Sequence, residues 1–245
     1  MTRNANGSLS AFRFDAQYHA NHASRACAEP AASKVFVVDD DEKLREGLRS
    51  LLESVGFDVE TFPSTALFCE RVQADIPSCL ILDVRLKGES GLEFQEWAGE
   101  NEIVMPIIFM SGYGDIEMSV RAMKGGAVNF LTKPFREQDM IESVTEALKR
   151  DAARLMKLRQ SSTLREQFST LTPRERDIAM LVAAGYMNKS AATKLELSEM
   201  TVKVYRARAM KKLAARTTAD LVRRIRTLQI EGDAGSIVDP LTRDW

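Results

Sequence analysis

The 245-residue sequence predicts a doubly wound α/β unit built on a five-stranded parallel sheet, followed by an all-α unit of four short helices. Over residues 34–150, five short apolar runs alternate with segments of helical periodicity, which is the pattern of strands buried on both faces. From Ser169 onwards, capping residues and glycines separate short helical segments instead. The two stretches also differ in charge, which favours a division into two domains.

Charge is distributed unevenly along the chain. Residues 34–150 contain 13 basic and 22 acidic residues (net −9), whereas residues 151–230 contain 17 basic and 7 acidic residues (net +10). The basic segment is therefore a candidate for nucleic-acid binding. No apolar run approaches the roughly 20 residues of a membrane span, and three cysteines without metal-ligand spacing are typical of reduced thiols. We expect a cytoplasmic protein that has no membrane partner.

Polar residues follow four of the five predicted strands of the first domain. The predicted strands are residues 35–38, 57–61, 79–82, 107–110 and 127–131, and the helices between them are residues 44–55, 64–73, 92–100 and 115–124. The polar residues at the strand ends are Asp39, Asp40, Asp83, Ser111 and Lys133. Because the carboxyl ends of parallel strands lie at one edge of a sheet, we expect these side chains to meet there.

The chemistry of this set of side chains indicates phosphoryl transfer onto an aspartate. Three clustered carboxylates repel one another unless a cation lies among them, and hard oxygen ligands favour Mg²⁺. Ser111 can donate a hydrogen bond, and the Lys133 ammonium can bind a doubly charged oxygen group. A carboxylate nucleophile, Asp83, beside Mg²⁺ and a lysine has the components that this reaction needs.

Residues 34–150 closely resemble the CheY-like receiver domain of two-component response regulators, which has a flavodoxin-like fold. The motifs that carry the resemblance are Val38-Asp39-Asp40, Leu82-Asp83-Val84-Arg85, Met110-Ser111-Gly112 and Thr132-Lys133-Pro134-Phe135. By this resemblance Asp83 would be the phospho-acceptor. The Mg²⁺ ligands would be Asp39, Asp40, Asp83 and the backbone carbonyl of Arg85. The phosphate-sensing residues would be Ser111, Lys133 and the switch aromatic Phe130, whose ring turns inward when Ser111 moves toward the phosphate.

One residue departs from the receiver pattern. Lys87 stands where the family commonly has proline. This departure predicts a loop after Asp83 with altered mobility or electrostatics.

The basic segment is predicted to contain a helix-turn-helix. A final receiver helix from Asp139 is expected to continue into an exposed helical linker at 151–168. Whether this linker forms a coiled-coil dimer interface is not decided by its apolar pattern. Thr172 precedes a proline at the first position of the next helix. The later helices are predicted at 188–195, 199–213 and 218–228, with a short turn between the first two. The helix at 199–213 is strongly basic, which suits the major groove of DNA.

This segment resembles the LuxR-type DNA-binding domain. The matching residues are Leu171 to Glu175, Gly185, Asn188-Lys189-Ser190, Thr201 to Arg206 and Met210 to Leu213. The resemblance implies that Asn188, Lys189 and Thr201 hold the DNA backbone. It also implies that bases or phosphates are approached by Lys203, Val204, Arg206 and Lys211. Tyr205 departs from the family's frequent histidine.

Together the two resemblances imply a response regulator of the FixJ/NarL class. A sensor histidine kinase would phosphorylate Asp83, and the phosphorylated chain would dimerise, bind double-stranded promoter DNA and, by analogy, contact RNA polymerase and activate transcription. The expected division is a disordered extension at 1–33, a receiver at 34–150, a linker at 151–168, a DNA-binding domain at 169–230 and a flexible tail at 231–245.

Two alternatives remain open from the sequence. The receiver could be a phosphorylation-independent interaction module, although the retained acidic pair, Asp83 and Lys133 argue against it. The chain could also be an aspartyl-phosphate hydrolase of the haloacid dehalogenase kind. Those enzymes carry a second acid two residues after the nucleophile, where this chain has Arg85. We therefore expect a protein that slowly hydrolyses its own phospho-aspartate and that is not a turnover enzyme.

Overall fold

The computed structural model of the chain describes residues 33–72, 75–101, 103–112 and 116–231. The expected disordered extension and flexible tail lie outside the described residues, except for Ser33 and Glu231. Among the helices that are described, none combines the length and the apolar character needed to cross a bilayer.

A five-stranded parallel sheet forms the centre of the first domain. Its strands are β1 (Lys34–Val38), β2 (Asp58–Phe62), β3 (Ser78–Asp83), β6 (Ile107–Ser111) and β7 (Asn129–Thr132), while β4 (Arg85–Leu86) and β5 (Glu89–Ser90) form a separate antiparallel pair. The spatial order in the sheet is β2-β1-β3-β6-β7, which is the flavodoxin-like order. The predicted doubly wound fold is therefore confirmed, and β3 lies at its centre.

Helices cover both faces of the sheet. They are α1 (Glu42–Ser54), α2 (Thr65–Arg71), α3 (Gly91–Glu100), α4 (Ile116–Lys124) and α5 (Glu137–Ser169). Asp41 accepts hydrogen bonds from the first turn of α1, as a residue before a helix start does, and Gly56 follows the helix with a φ of +93°. Strand β2 begins one residue later than expected, and β7 begins two residues later.

The sheet separates two apolar layers because side chains alternate along each strand. Phe36 and Leu80 face Phe68 of α2 and Phe94 of α3. Val37, Ile81 and the other residues of the opposite face pack against α1 and α5, chiefly on Leu48, Leu52, Met140 and Val144. Every residue of β3 is buried, so the position of Asp83 at its end is tightly constrained.

The helix α5 is continuous for 33 residues, about 50 Å at 1.5 Å per residue. It runs without a break through the segment that was expected to be an exposed linker. The segment is helical, but it is not exposed throughout. Asp151 is 1% exposed and contacts the start of β3, and Leu164 belongs to the core of the C-terminal helices.

Four helices form the C-terminal domain: α6 (Pro173–Ala183), α7 (Asn188–Leu195), α8 (Glu199–Lys212) and α9 (Thr218–Glu231). Thr172 and Glu175 form a capping box at the start of α6. Between α7 and α8 the chain turns through Glu196, which has a φ of +54°. Val202 and Ala209 are fully buried, so one face of α8 packs into this core and leaves the other exposed.

Candidate functional site

The carboxyl ends of β1 and β3 bring three aspartates together. Asp39 directly follows β1, Asp40 is the next residue, and Asp83 is the last residue of β3. One carboxylate oxygen from each lies within 4.8 Å of the other two. Asp39 is 1% exposed and Asp83 is 8% exposed, whereas Asp40 is half-buried. The cluster therefore opens to solvent mainly on the side of Asp40.

Lys133 supplies the positive charge nearest to this cluster. Its Nζ donates to Asp39 Oδ2 at 2.8 Å and to Asp83 Oδ2 at 2.5 Å. Burial raises the pKa of Asp39 above its usual range, although the hydrogen bond from Lys133 acts in the opposite direction. Burial also disfavours the charged form of Lys133, but its hydrogen bonds to the two aspartates prevail and raise its pKa. The ammonium is therefore charged at neutral pH.

The second oxygens of the two buried carboxylates are held by backbone groups. The Asp41 N–H donates to Asp39 Oδ1 at 2.8 Å, and the Arg85 N–H donates to Asp83 Oδ1 at 3.0 Å. The Arg45 guanidinium also donates to the Asp39 backbone carbonyl at 2.6 Å. These bonds fix both carboxylates in one orientation. Nothing in the sequence singled out Arg45, because its partner is a backbone atom six residues away.

Ser111 lies on β6, the strand next to β3, and Phe130 lies on β7, the next strand outward in the sheet. Ser111 ends β6, is fully buried, and accepts the Lys133 N–H at its backbone carbonyl at 2.8 Å. Phe130 lies in β7, half-buried, with its ring centroid 6.4 Å from that of Phe109. The structure thus brings Ser111 beside Lys133 at the edge that holds the aspartates, while Phe130 packs below that edge.

The loop after Asp83 is a short hairpin rather than an irregular segment. Strands β4 and β5 pair across Lys87 and Gly88, and Gly88 has a φ of +82°. Lys87 Nζ lies 3.5 Å from Asp40 Oδ2, although its side chain is 85% exposed. The departure at Lys87 therefore places a second ammonium next to the acidic cluster.

The acidic cluster has the donor set of a divalent cation site. All three side chains offer hard oxygen ligands, and one of them, Asp40, remains partly open to solvent. Mg²⁺ favours such a site, with one or two carboxylates and several remaining positions for water or phosphate oxygens. The residues present therefore fit Mg²⁺.

The residues expected to contact DNA fall into two groups. Lys189, Lys203, Val204 and Lys211 are exposed, the last three of them on α8. Thr201 is half-buried, and its hydroxyl shares a hydrogen bond of 2.8 Å with Ser198 at the start of α8.

Arg206 and Asn188 contact each other instead of lying free on the surface. The Arg206 guanidinium donates to Asn188 Oδ1 at 2.9 Å and to the hydroxyl of Thr218. It therefore connects α8 to α7 and α9. Lys212 similarly donates to Glu175 Oε2 at 2.6 Å. The distribution of charge along the sequence could not show that Arg206 and Lys212 of α8 bond to the other helices of the domain, because their partners are distant in sequence.

Comparison with protein families assigns both domains. Residues 35–145 match the model of the response regulator receiver domain, and residues 169–225 match that of bacterial regulatory proteins of the luxR family. The chain belongs to the response regulators with a LuxR-type DNA-binding domain. It is therefore a two-component transcriptional regulator, and its domains imply a histidine kinase partner and DNA binding.

Several relatives align with this chain over most of their own length. Nodulation protein W of Bradyrhizobium diazoefficiens is 48% identical over 199 residues, which cover 81% of this chain and 88% of the relative. The transcriptional regulatory protein FixJ of the same organism is 33% identical over 189 residues, covering 77% and 92%. The solved structure of the response regulator StyR is 44% identical, covers 80% of this chain and 99% of StyR, and has a TM-score of 0.72. These relatives confirm the predicted FixJ/NarL class.

Proposed function

We propose that this response regulator is switched by phosphorylation of Asp83. An oxygen of the Asp83 carboxylate attacks the phosphorus of a phosphohistidine on the kinase, and the bond from phosphorus to the histidine nitrogen breaks. The observation that carries the proposal is the position of Asp83 at the end of the central strand, 2.5 Å from Lys133 and beside Asp39 and Asp40. Lys133 stabilises the negative charge that this transfer brings to the pocket.

Mg²⁺ is the proposed cofactor of this step. We assign its ligands to Asp39, Asp40, Asp83 and the backbone carbonyl of Arg85. When bound, the ion would neutralise charge on the phosphoryl oxygens. The backbone N–H groups that orient Asp39 and Asp83 keep these carboxylates in place for it.

Phosphorylation would then change the surface of the receiver. The Ser111 hydroxyl and the Lys133 ammonium bind the phosphoryl oxygens, and Phe130 turns inward as Ser111 shifts. Lys133 directly follows β7 and donates to Asp39 and Asp83, so its bond to a phosphoryl oxygen would couple the phosphate to the end of β7. The altered surface favours a homodimer.

The dimer is proposed to act at promoter DNA in the cytoplasm. Lys203, Val204 and Lys211 on the exposed side of α8 approach bases or phosphates, with Arg206 beside them, and Asn188, Lys189 and Thr201 hold the backbone. Contact with RNA polymerase and activation follow by analogy with regulators of this class. We divide the chain into a receiver at 34–150, a linker at 151–168 and a DNA-binding domain at 169–230, with an extension at 1–33 and a tail at 231–245.

We further propose that the receiver is not a turnover enzyme. Its phospho-aspartate is hydrolysed slowly by the same pocket, and the second acid of a haloacid dehalogenase is replaced by Arg85. The competing hypothesis is a receiver that acts as a phosphorylation-independent interaction module. The two hypotheses make different predictions about whether phosphorylation changes DNA binding.

The test is DNA binding by the full-length protein at one fixed salt concentration, with and without acetyl phosphate plus Mg²⁺. We expect phosphorylation to tighten binding by about 5- to 100-fold, a usual range for coupling between two sites. Asp83→Asn should abolish this gain and leave the basal affinity unchanged. Asp58→Asn is the matched control, because this exposed aspartate begins β2 at the opposite edge of the sheet.

Gel filtration of the same samples tests the dimer. A larger species should form with the donor and be absent in Asp83→Asn. Equal DNA binding by all samples would support the interaction-module alternative and remove the kinase from the mechanism. Release of phosphate over many turnovers would instead revive the hydrolase alternative.

A further inference from the structure

The exposed side of α8 carries an apolar strip among its cations. Positions spaced by three or four residues share this side, and all are exposed: Met200, Lys203, Val204, Ala207, Arg208 and Lys211. The opposite side is buried through Val202 and Ala209. The face of α8 that points away from the protein therefore combines a line of apolar groups with flanking positive charge.

Met200 is the more exposed of the two large apolar residues on this side of the helix. It is 69% exposed, compared with 43% for Val204, and it lies in the first turn of α8. A single exposed methionine is ordinary on a surface, but Met200 adjoins further exposed apolar residues on a basic helix face, and such a contiguous patch is typical of a surface that is covered in a complex. Val204 and Ala207 continue the strip four and seven residues further along the helix.

The charges around the strip indicate what covers it. Lys203, Arg208 and Lys211 flank the apolar residues, and all three are exposed. Lys203 Nζ lies 3.3 Å from Glu199 Oε1, and the Arg208 guanidinium lies over the Tyr205 ring. Duplex DNA offers a matching surface, since phosphates line the major groove and the C5-methyl of thymine is the apolar group on its floor. The first residues of a recognition helix are the ones that reach base edges.

We propose that Met200, together with Val204 and Ala207, recognises the C5-methyl groups of thymines in the operator, which makes Met200 a specificity-determining residue. This inference rests on the proposed DNA-binding function of α8. The unbranched thioether side chain adapts to the groove floor and packs against methyl groups. Its neighbour Lys203 supplies the phosphate or guanine contact on the same turn.

The experiment uses the full-length protein treated with acetyl phosphate and Mg²⁺. A preferred duplex is first selected from randomised DNA by the wild type. Each thymidine in that duplex is then replaced by deoxyuridine, which removes the methyl group alone. Affinities are measured for wild type, Met200→Ala and the control Met187→Ala, whose methionine is 75% exposed but precedes α7. Alanine is a good helix former, so Met200→Ala leaves α8 folded.

We expect at least one thymidine at which loss of the methyl weakens wild-type binding about fourfold, which corresponds to about 0.8 kcal/mol for one buried methyl group. Met200→Ala should bind the thymidine duplex about fourfold more weakly and respond little to the same replacement. Met187→Ala should behave as wild type.

Two results would overturn the proposal. A wild type indifferent to deoxyuridine at every position would remove thymine recognition while leaving DNA binding by α8 intact. If Met200→Ala kept the full sensitivity of the wild type, another residue would contact the methyl group and the assignment to Met200 would be overturned. Failure of the wild type to enrich any duplex would instead overturn the proposed DNA-binding function and this inference with it.

Discussion

Replacement of Asp151 by alanine should destabilise the receiver, although this residue lies beyond residues 35–145, which match the receiver family. Asp151 Oδ2 accepts the Ser78 N–H at 2.8 Å, and Oδ1 accepts the Arg154 Nε at 2.7 Å. Truncation leaves the buried Ser78 N–H without its acceptor, which costs about 1–3 kcal/mol. Arg154 is 28% exposed and can turn to water, so loss of the ion pair adds little. We therefore expect a loss of about 2 kcal/mol.

Urea unfolding followed by Trp97 fluorescence measures this loss. The chain contains two tryptophans, so the variants are made in a Trp245→Phe background in which Trp97 on α3 reports the receiver alone. Asp151→Asn keeps one side-chain oxygen for the Ser78 N–H and should lose less than half as much. Asp58→Ala, with its side chain 66% exposed, is the control. An Asp151→Ala protein within about 0.5 kcal/mol of its parent would refute the reasoning, since that is the range of surface substitutions.

Three further predictions concern the charged residues Glu175, Arg206 and Asp40. The hydrogen bond from Lys212 lowers the pKa of Glu175 in the folded protein below its ordinary 4.5. This pair therefore stabilises the fold above pH 4.5, and the stabilisation is lost as the pH falls through the pKa of the folded state. Melting temperatures measured from neutral to acidic pH should therefore fall less steeply below about pH 4.5 in Glu175→Gln than in wild type; parallel curves would contradict the pairing. Arg206→Lys cannot reach both of its partners and should cost the C-terminal domain about 1–2 kcal/mol in thermal unfolding, whereas the exposed Arg208→Lys should be neutral. Asp40→Asn should weaken Mg²⁺ binding about tenfold in calorimetric titration with no change in melting temperature; unchanged affinity would place the ion elsewhere.

The central sheet was predictable because buried parallel strands are short apolar runs bounded by turn residues, and runs of this length are too short for a buried helix. Asp39 and Asp83 follow such runs directly, so the topology alone brings them to one edge. The ends of β2 and β7 shifted by one or two residues, since hydrogen-bond registry with neighbouring strands, and not local sequence, decides where a strand begins. The small hairpin at Lys87 was not predicted, because two-residue strands carry no periodicity.

Contacts between distant residues lay beyond sequence reasoning. The resemblance to the LuxR-type domain implied that Arg206 contacts DNA, whereas its bonds to Asn188 and Thr218 depend on how three helices pack. Asp151 was included in the linker that was expected to be exposed. Its burial depends on Ser78, which is 73 positions away in the chain.

The position of Asp151 leads to a prediction about the receiver boundary. A fragment of residues 34–150 matches the expected domain, but it omits Asp151 and also Arg159, whose guanidinium donates to the Asp75 carbonyl at 2.7 Å. A fragment of residues 34–160 keeps both contacts. It should be more stable by about 2 kcal/mol or more in urea unfolding, because the shorter one leaves the Ser78 N–H unpaired. Equal stabilities would mean that α5 detaches from β3 without cost. A difference would show that the strand carrying Asp83 is bonded at its other end to the helix leading into the DNA-binding domain.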